Sequence, residues 1–452
     1  METKMVDVLK EWRVNKLLSK VVAHARLLFN APDVFIRNVQ AKRNPSAYLN
    51  RLKDTTEIRP LIIEVDDQLA DSPRIFVLLP TVSASASTGG PNTVFMIAAQ
   101  LARAGHDVVI VGVDQCNSTS SEMRASMERL VGKIDRGSVS VCSVADRSLP
   151  LRIGPLDLFC ATFWTTAYLA EAASKRTRIG RFLYVIQDFE PGFYDWSANF
   201  ALSEATYGMD FLPVINEDFL LAYLERHKVG RFADADFARS SIVFEPAVGS
   251  NHFFNEPKTA RLKRLVFYAR PNNSRNLFGM ALDALILATR DPIFDTGWEF
   301  IAVGSDNLVP DIQLGNGNVL KLGPWMNFEA YAAFVRQSDI MLCPMLSPHT
   351  SYPTLEMLSC GGVTVTTVFD CKTQDALLAI SSDLLSAVPN SAAIAEKIIL
   401  AARRIVEDER QPAKAKLHDN WDSALKKTIM RIDEAVAEMR RTAVSQTLNG
   451  EQ

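Results

Sequence analysis

With 452 residues, of which 48% are hydrophobic, 22% charged and 9% aromatic, the chain has the makeup of a folded protein of about two or three domains, which excludes wholesale disorder and fibrous assemblies. Its 49 Lys and Arg nearly cancel its 52 Asp and Glu, so the net charge of −3 gives no global field that points to nucleic acid as a partner. The longest apolar runs, such as Val94–Ala99, fall far short of the roughly 18–20 residues that a membrane span needs.

Residues 1–70 read as a helical extension. The first seven residues carry acidic groups where a signal peptide has a basic region and an apolar core. Six cysteines (116, 142, 160, 343, 360 and 371) include no Cys-x-x-Cys pair, and the two features together predict reduced thiols in a cytoplasmic protein. From Lys10 to Leu28, Trp12, Leu17, Val21, Val22 and Leu28 share one broad side of a helix, with basic residues opposite. Over residues 1–53 there are 11 Lys and Arg against 4 Asp and Glu, an excess of seven. Such a helix either rests on the inner face of the cytoplasmic membrane or packs on the main body with its basic side in water. Packing is the expected role.

Residues 71–255 alternate between strands and helices. Arg74–Pro80 is a strand buried on both faces, the loop Thr81–Pro91 follows, and an amphipathic helix runs from Asn92 to about Ala104, stopped by Gly105. Strands follow at His106–Val113, Leu156–Ala161, Phe182–Asp188, Phe211–Ile215 and Ser241–Phe244, which predicts a doubly wound parallel sheet. A polar linker, Gly249–Lys258, closes this part.

The same grammar restarts in residues 256–452. Strand Leu265–Ala269 leads into loop Arg270–Asn276 and a helix from Leu277. Further strands are expected at Glu299–Val303, Val319–Leu322, Ile340–Cys343 and Val363–Thr367, and two long helices finish the chain after Ser391. Two such α/β domains enclose a cleft, with ligands beyond the carboxyl ends of the strands.

The candidates for chemistry lie in loops at those ends. Arg270 and Arg275 flank a strand–loop–helix turn, where forked guanidinium groups and helix amides suit a diphosphate, with Asn276 closing the loop. The segment Ser347–Gly362 repeats that context: Glu356 accepts hydrogen bonds from sugar hydroxyls or complements the helix dipole, and His349, Ser351 and Tyr352 join the donor-binding set. Gly89 and Gly90 let amides approach a donor sugar or phosphate, or simply make a tight turn. Asp188 and Glu190 are the catalytic candidates; either orients or deprotonates an acceptor hydroxyl, or else holds its loop together. Asp234 and Asp236 resemble an Asp-x-Asp metal motif but sit in a polar loop, so no metal is expected. The chain has neither a Gly-x-Gly-x-x-Gly after a strand nor a P-loop, which disfavours dinucleotide oxidoreductases and P-loop kinases.

These motifs resemble a known family. The segment containing Glu356 is similar to the nucleotide-sugar signature of retaining, family-four glycosyltransferases of the GT-B fold, in which Glu356 matches the second, ribose-binding glutamate. Pro348 stands where the first glutamate falls, leaving that contact to His349 or loop amides. Ile186–Tyr194, Leu202–Tyr207, Tyr268–Pro271, Ser347–Met357 and Asn420–Asp422 together resemble the bacterial WsaF-type rhamnosyltransferases. That likeness implies an enzyme that transfers L-rhamnose from dTDP-β-L-rhamnose to a surface polysaccharide with retention of configuration, its first domain holding a lipid-linked glycan acceptor and its second the dTDP-sugar. No metal cofactor and no nucleic acid partner is implied. A GT-B enzyme for another nucleotide sugar, a sugar-nucleotide epimerase, and a non-catalytic glycan- or nucleotide-binding subunit are the competing readings.

Overall fold

Short runs of Val, Ile, Leu and Phe followed by amphipathic stretches build strands buried on both faces and helices that cover them. The computed structural model describes residues 56–450 apart from 85–88, 260–261, 305–310, 325 and 408–409, with side chains to residue 445. The chain divides into one unit of residues 1–57 and a second from Ile58 onward. The basic helix expected within residues 1–53, and the membrane contact drawn from it, lie outside the described residues. Among the described residues no helix is long and apolar enough to cross a membrane.

The first sheet holds seven parallel strands in the spatial order Val139–Ser143, Asp107–Cys116, Arg74–Val82, Leu158–Ala161, Phe182–Ile186, Phe211–Asn216 and Ile242–Phe244. Numbered along the chain this is 3-2-1-4-5-6-7, the doubly wound pattern. Alternation sorts the first strand between two cores. Ile75, Val77 and Leu79 meet helix Gly90–Ala104 through Val94, Ile97 and Leu101, while Phe76 and Leu78 turn to helix Trp164–Ser174.

The second sheet repeats the order 3-2-1-4-5-6 with Val319–Leu322, Trp298–Val303, Lys263–Tyr268, Ile340–Leu342, Val363–Thr367 and Leu384–Ala387. Ile312–Gln313 adds an antiparallel edge strand. Leu265 and Phe267 enter one core and Val266 the other, so this sheet too is covered on both sides. The expected architecture of two Rossmann-like α/β domains is present. In each sheet the order reverses beside the first strand, which puts the ends of strands Arg74–Val82 and Lys263–Tyr268 at the two switch points, where such sheets take their ligands.

Two expectations are corrected. Residues from Ile58 to 70 are not part of a helical extension: Ile63–Val65 pairs in parallel with Leu151–Ile153, and Ile58, Leu61, Ile63 and Val65 pack on the first domain. The last helix, Trp421–Gly450, was expected with the second domain, but Leu425, Ile429, Ile432 and Val436 form a stripe that joins the core of the first. Its path back runs beside the interdomain linker, where the Val248 N–H donates to His418 O at 3.2 Å and the Ser250 N–H to Asp419 O at 3.0 Å. Two chain segments therefore cross between the domains.

Candidate functional site

At the carboxyl ends of the two sheets the domains meet through a buried polar cluster. Asp188 follows the strand Phe182–Ile186 and is 5% exposed. Its Oδ1 accepts from Ser347 Oγ at 2.6 Å and from the Phe189 N–H at 2.8 Å. Its Oδ2 lies 2.5 Å from the Arg275 guanidinium and 3.2 Å from His349 Nε2. Burial opposes the carboxylate, but Arg275 and then His349 outweigh it and hold Asp188 well below the usual carboxylate range. The Ser351 N–H donates to His349 Nδ1 at 3.0 Å, which leaves the imidazole proton on Nε2, facing Asp188.

A second buried acid stands beside it. Glu217, after the strand Phe211–Asn216, accepts from the Thr350 N–H at 3.1 Å and from Thr350 Oγ1 at 2.7 Å. Burial pushes it up to about 7 against the pull of His349 and Thr350. Lys372 is fully buried; its Nζ donates to the carbonyls of Met345 and His349 at 3.2 Å each, and burial lowers the ammonium to about 8 despite Glu217. The first domain thus supplies two acids and the second Arg275, His349 and Lys372.

Beside the cluster opens a pocket of about 330 Å³ whose lining includes Gly89, Thr93, His252, Tyr352, Glu356 and Trp421. Gly89 has φ +50°, a conformation that glycine adopts without strain, and a Cβ there would meet open space. Thr93 Oγ1 and Tyr352 Oη are 2.9 Å apart and tie the pocket's two walls together. Glu356 Oε2 accepts from Tyr331 Oη at 3.0 Å, and burial pushes its carboxyl up to about 7 all the same. Gln187 Oε1, Asn216 Oδ1, Asn273 Oδ1 and Arg275 Nε, all at these strand ends, are buried without a hydrogen-bond partner. Buried donors and acceptors left without a partner near these strand ends are available to a polar ligand.

The expected residues separate into groups. Arg275 and His349 join the cluster, and Gly89, Tyr352 and Glu356 line the pocket. Arg270 is exposed and donates to Tyr268 Oη at 2.8 Å, outside both groups. Asn276 is buried at the end of a single turn, and the Gly90 carbonyl is taken by Gln187 Nε2 at 3.1 Å. Ser351, buried with φ +73°, sits 3.6 Å from Cys343 Sγ through its Oγ, a contact with the core. Asp234 caps a five-residue helix by accepting from the Asp236 N–H at 2.9 Å.

Glu190 takes a position that suits holding rather than proton transfer. It is 4% exposed, accepts from Tyr184 Oη at 3.2 Å, and is pushed up to about 8 by burial. Glu190→Gln keeps an acceptor for Tyr184 and removes a buried titrating group, so turnover should stay within about threefold of the wild type, whereas loss of a general base costs roughly 100–10,000-fold. A steady-state assay of the variant separates the two. Ser347, Thr350, Glu217 and Lys372 were not among the expected residues; their position just past strand ends was the available signal.

Known proteins add the lineage. Models of the N-terminal and C-terminal domains of WsaF match residues 74–217 and 263–399. The O-antigen biosynthesis protein RfbC of Myxococcus xanthus is 32% identical over 274 residues, 60% of this chain; the chain spans only 20% of that protein. The solved structure of Anabaena HepE in complex with UDP and glucose aligns over 83% of this chain and 100% of its own, with TM-score 0.50 and 13% identity, a likeness of fold alone. With paired domain models over residues 74–217 and 263–399 and its two doubly wound domains facing a cleft, the chain has the GT-B fold and belongs to the WsaF family.

Proposed function

We propose that this protein is a glycosyltransferase that moves L-rhamnose from dTDP-β-L-rhamnose to a growing bacterial surface polysaccharide, with a lipid-linked glycan as acceptor, working in the cytoplasm at the membrane's inner face. The reading is supported by two features of the paired α/β domains: a buried cluster that gathers Arg275, His349 and Lys372 past the strand ends, and a pocket lined from both domains by Gly89, Tyr352 and Glu356. Rhamnose as the sugar and dTDP as its carrier rest on family likeness.

In this scheme Arg275 exchanges its Asp188 partner for the diphosphate, with Arg270 swinging in from solvent. Negative charge grows there as the glycosidic bond breaks, and fixed cations stabilise it most in a site closed to water. Lys372 adds charge from below, and Glu356 holds the ribose hydroxyls. Asp188, left with His349, Ser347 and the Phe189 N–H as partners, organises the loop ends instead of taking a proton. Retention of configuration follows from the same likeness.

Incubation with a panel of dTDP-, UDP- and GDP-sugars tests the reading: slow hydrolysis of dTDP-rhamnose supports it. Hydrolysis of a different donor keeps the enzyme and changes its sugar; binding without turnover, across varied acceptors, means a non-catalytic subunit. Turnover should also persist in EDTA, because arginine and lysine side chains meet the leaving diphosphate. Activity lost on chelation and regained with manganese or magnesium would assign that task to a metal.

A further inference from the structure

Trp196 is 94% exposed. Its indole stacks on Phe200, with ring centroids 5.6 Å apart and planes within 9° of parallel. An aromatic residue that only staples the start of a helix buries its ring on that helix; here one face rests on Phe200 and the rest meets water. Ser197 fixes the arrangement by capping helix Ala198–Ala205, its Oγ accepting from the Phe200 N–H at 3.3 Å.

The segment is anchored to the candidate site. Trp164 Nε1 donates to Tyr194 Oη at 2.9 Å, and Phe193 lies against the Arg275 guanidinium, 4.5 Å from ring centroid to carbon. Three residues on, the Trp196 backbone stands within roughly 11 Å of that of Phe193, since an extended chain spans at most about 3.6 Å per residue. Asp195, also exposed, sets a carboxylate next to the indole in the chain.

Pyranose rings combine a flat face of C–H groups with a rim of hydroxyls. An open indole face takes the first by dispersion, and a neighbouring carboxylate accepts from the second. We propose that Trp196, Phe200 and Asp195 form a subsite for a saccharide ring of the acceptor glycan, a short way back along the chain from the attacking hydroxyl. This rests on the glycosyl-transfer reading above. Asp195 and Glu204 are both exposed near the indole in sequence, and their charge disfavours inserting the ring into an anionic membrane surface.

The test compares wild type, Trp196→Ala and Trp196→Phe in the full chain, with a linear rhamnose tetrasaccharide as probe. Saturation-transfer NMR and transfer kinetics should show binding weakened and acceptor KM raised about tenfold in the Ala variant, and both within about threefold in the Phe variant. Affinity for dTDP and the melting temperature should not move. The assignment is overturned if the Ala variant binds the tetrasaccharide like the wild type, if the wild type does not bind it, or if dTDP affinity falls in step. Loss of phosphatidylglycerol-vesicle binding with glycan binding intact would overturn it in favour of a membrane contact. If glycan binding depends on Trp196 while the wild type neither binds nor hydrolyses any nucleotide sugar, the subsite stands and the transferase reading fails.

Discussion

Arg275→Ala should weaken dTDP or dTDP-sugar binding roughly 10–100-fold, the equivalent of about 1.5–3 kcal/mol for lost charge-assisted hydrogen bonds. It should also lower stability without ligand, because it leaves Asp188, 5% exposed, without its closest cation. Breaking one side of a buried ion pair costs about 3–5 kcal/mol, while replacing both sides costs far less. Asp188→Asn combined with Arg275→Ala should therefore regain most of the melting temperature and none of the nucleotide affinity. The sign with pH follows. A carboxyl held below its ordinary range contributes stability that is present above pH 4 and lost as the pH falls through its folded value. In Arg275→Ala the folded carboxyl rises towards or past its ordinary value, so that acid loss should shrink or reverse, which thermal melts across pH 3–6 would register. Unchanged affinity in a folded variant would move the diphosphate elsewhere.

Glu356→Gln should lower nucleotide affinity about tenfold at pH 8, since an ionised carboxylate accepts hydroxyl hydrogen bonds more strongly than an amide. Burial raises the Glu356 carboxyl to about 7, so the wild type should bind dTDP more tightly as the pH rises from 6 to 8, while the Gln variant stays flat. Stability runs the other way. A carboxyl raised from its ordinary 4.5 favours the folded state in its neutral form, and that contribution is lost as the pH rises through 7. The Gln variant should then melt no lower than the wild type at pH 8. Titration calorimetry and melting at both pH values decide the matter; a large drop in melting temperature with binding intact would make Glu356 a structural partner of Tyr331 alone.

The sequence made the repeated strand–helix grammar legible because each core strand is a compact apolar run bounded by turn residues. Short strands such as Ile63–Val65 and Leu384–Ala387 escaped notice, since runs of three or four residues carry little periodic signal. The position of the last helix escaped for a different reason. Its stripe of Leu425, Ile429, Ile432 and Val436 shows that one side is buried, and nothing in that pattern says which domain receives it.

The site divides along a similar line. Arg275 and His349 were visible as charged or polar residues in loops after strands, and Glu356 as a carboxylate just inside the short helix that follows one, where ligands gather in such sheets. Glu217 and Lys372 occupy equivalent positions after their own strands, but their role comes from contacts remote in sequence: Glu217 with Thr350 across the cleft, and Lys372 with the carbonyls of Met345 and His349 within its own domain. Asp188 and Glu190 are two residues apart and alike in sequence. One turns to Arg275 in the other domain and the other to Tyr184 within its own, and only the fold distinguishes them.

A crystal structure of the protein with dTDP-rhamnose, or with dTDP, tests the central claim most directly. The diphosphate should lie within hydrogen-bonding distance of the Arg275 guanidinium, with its bond to Asp188 lengthened or broken and the ribose hydroxyls on Glu356. A nucleotide bound away from this cleft, with Arg275 still on Asp188 and Glu356 on Tyr331, would contradict the account.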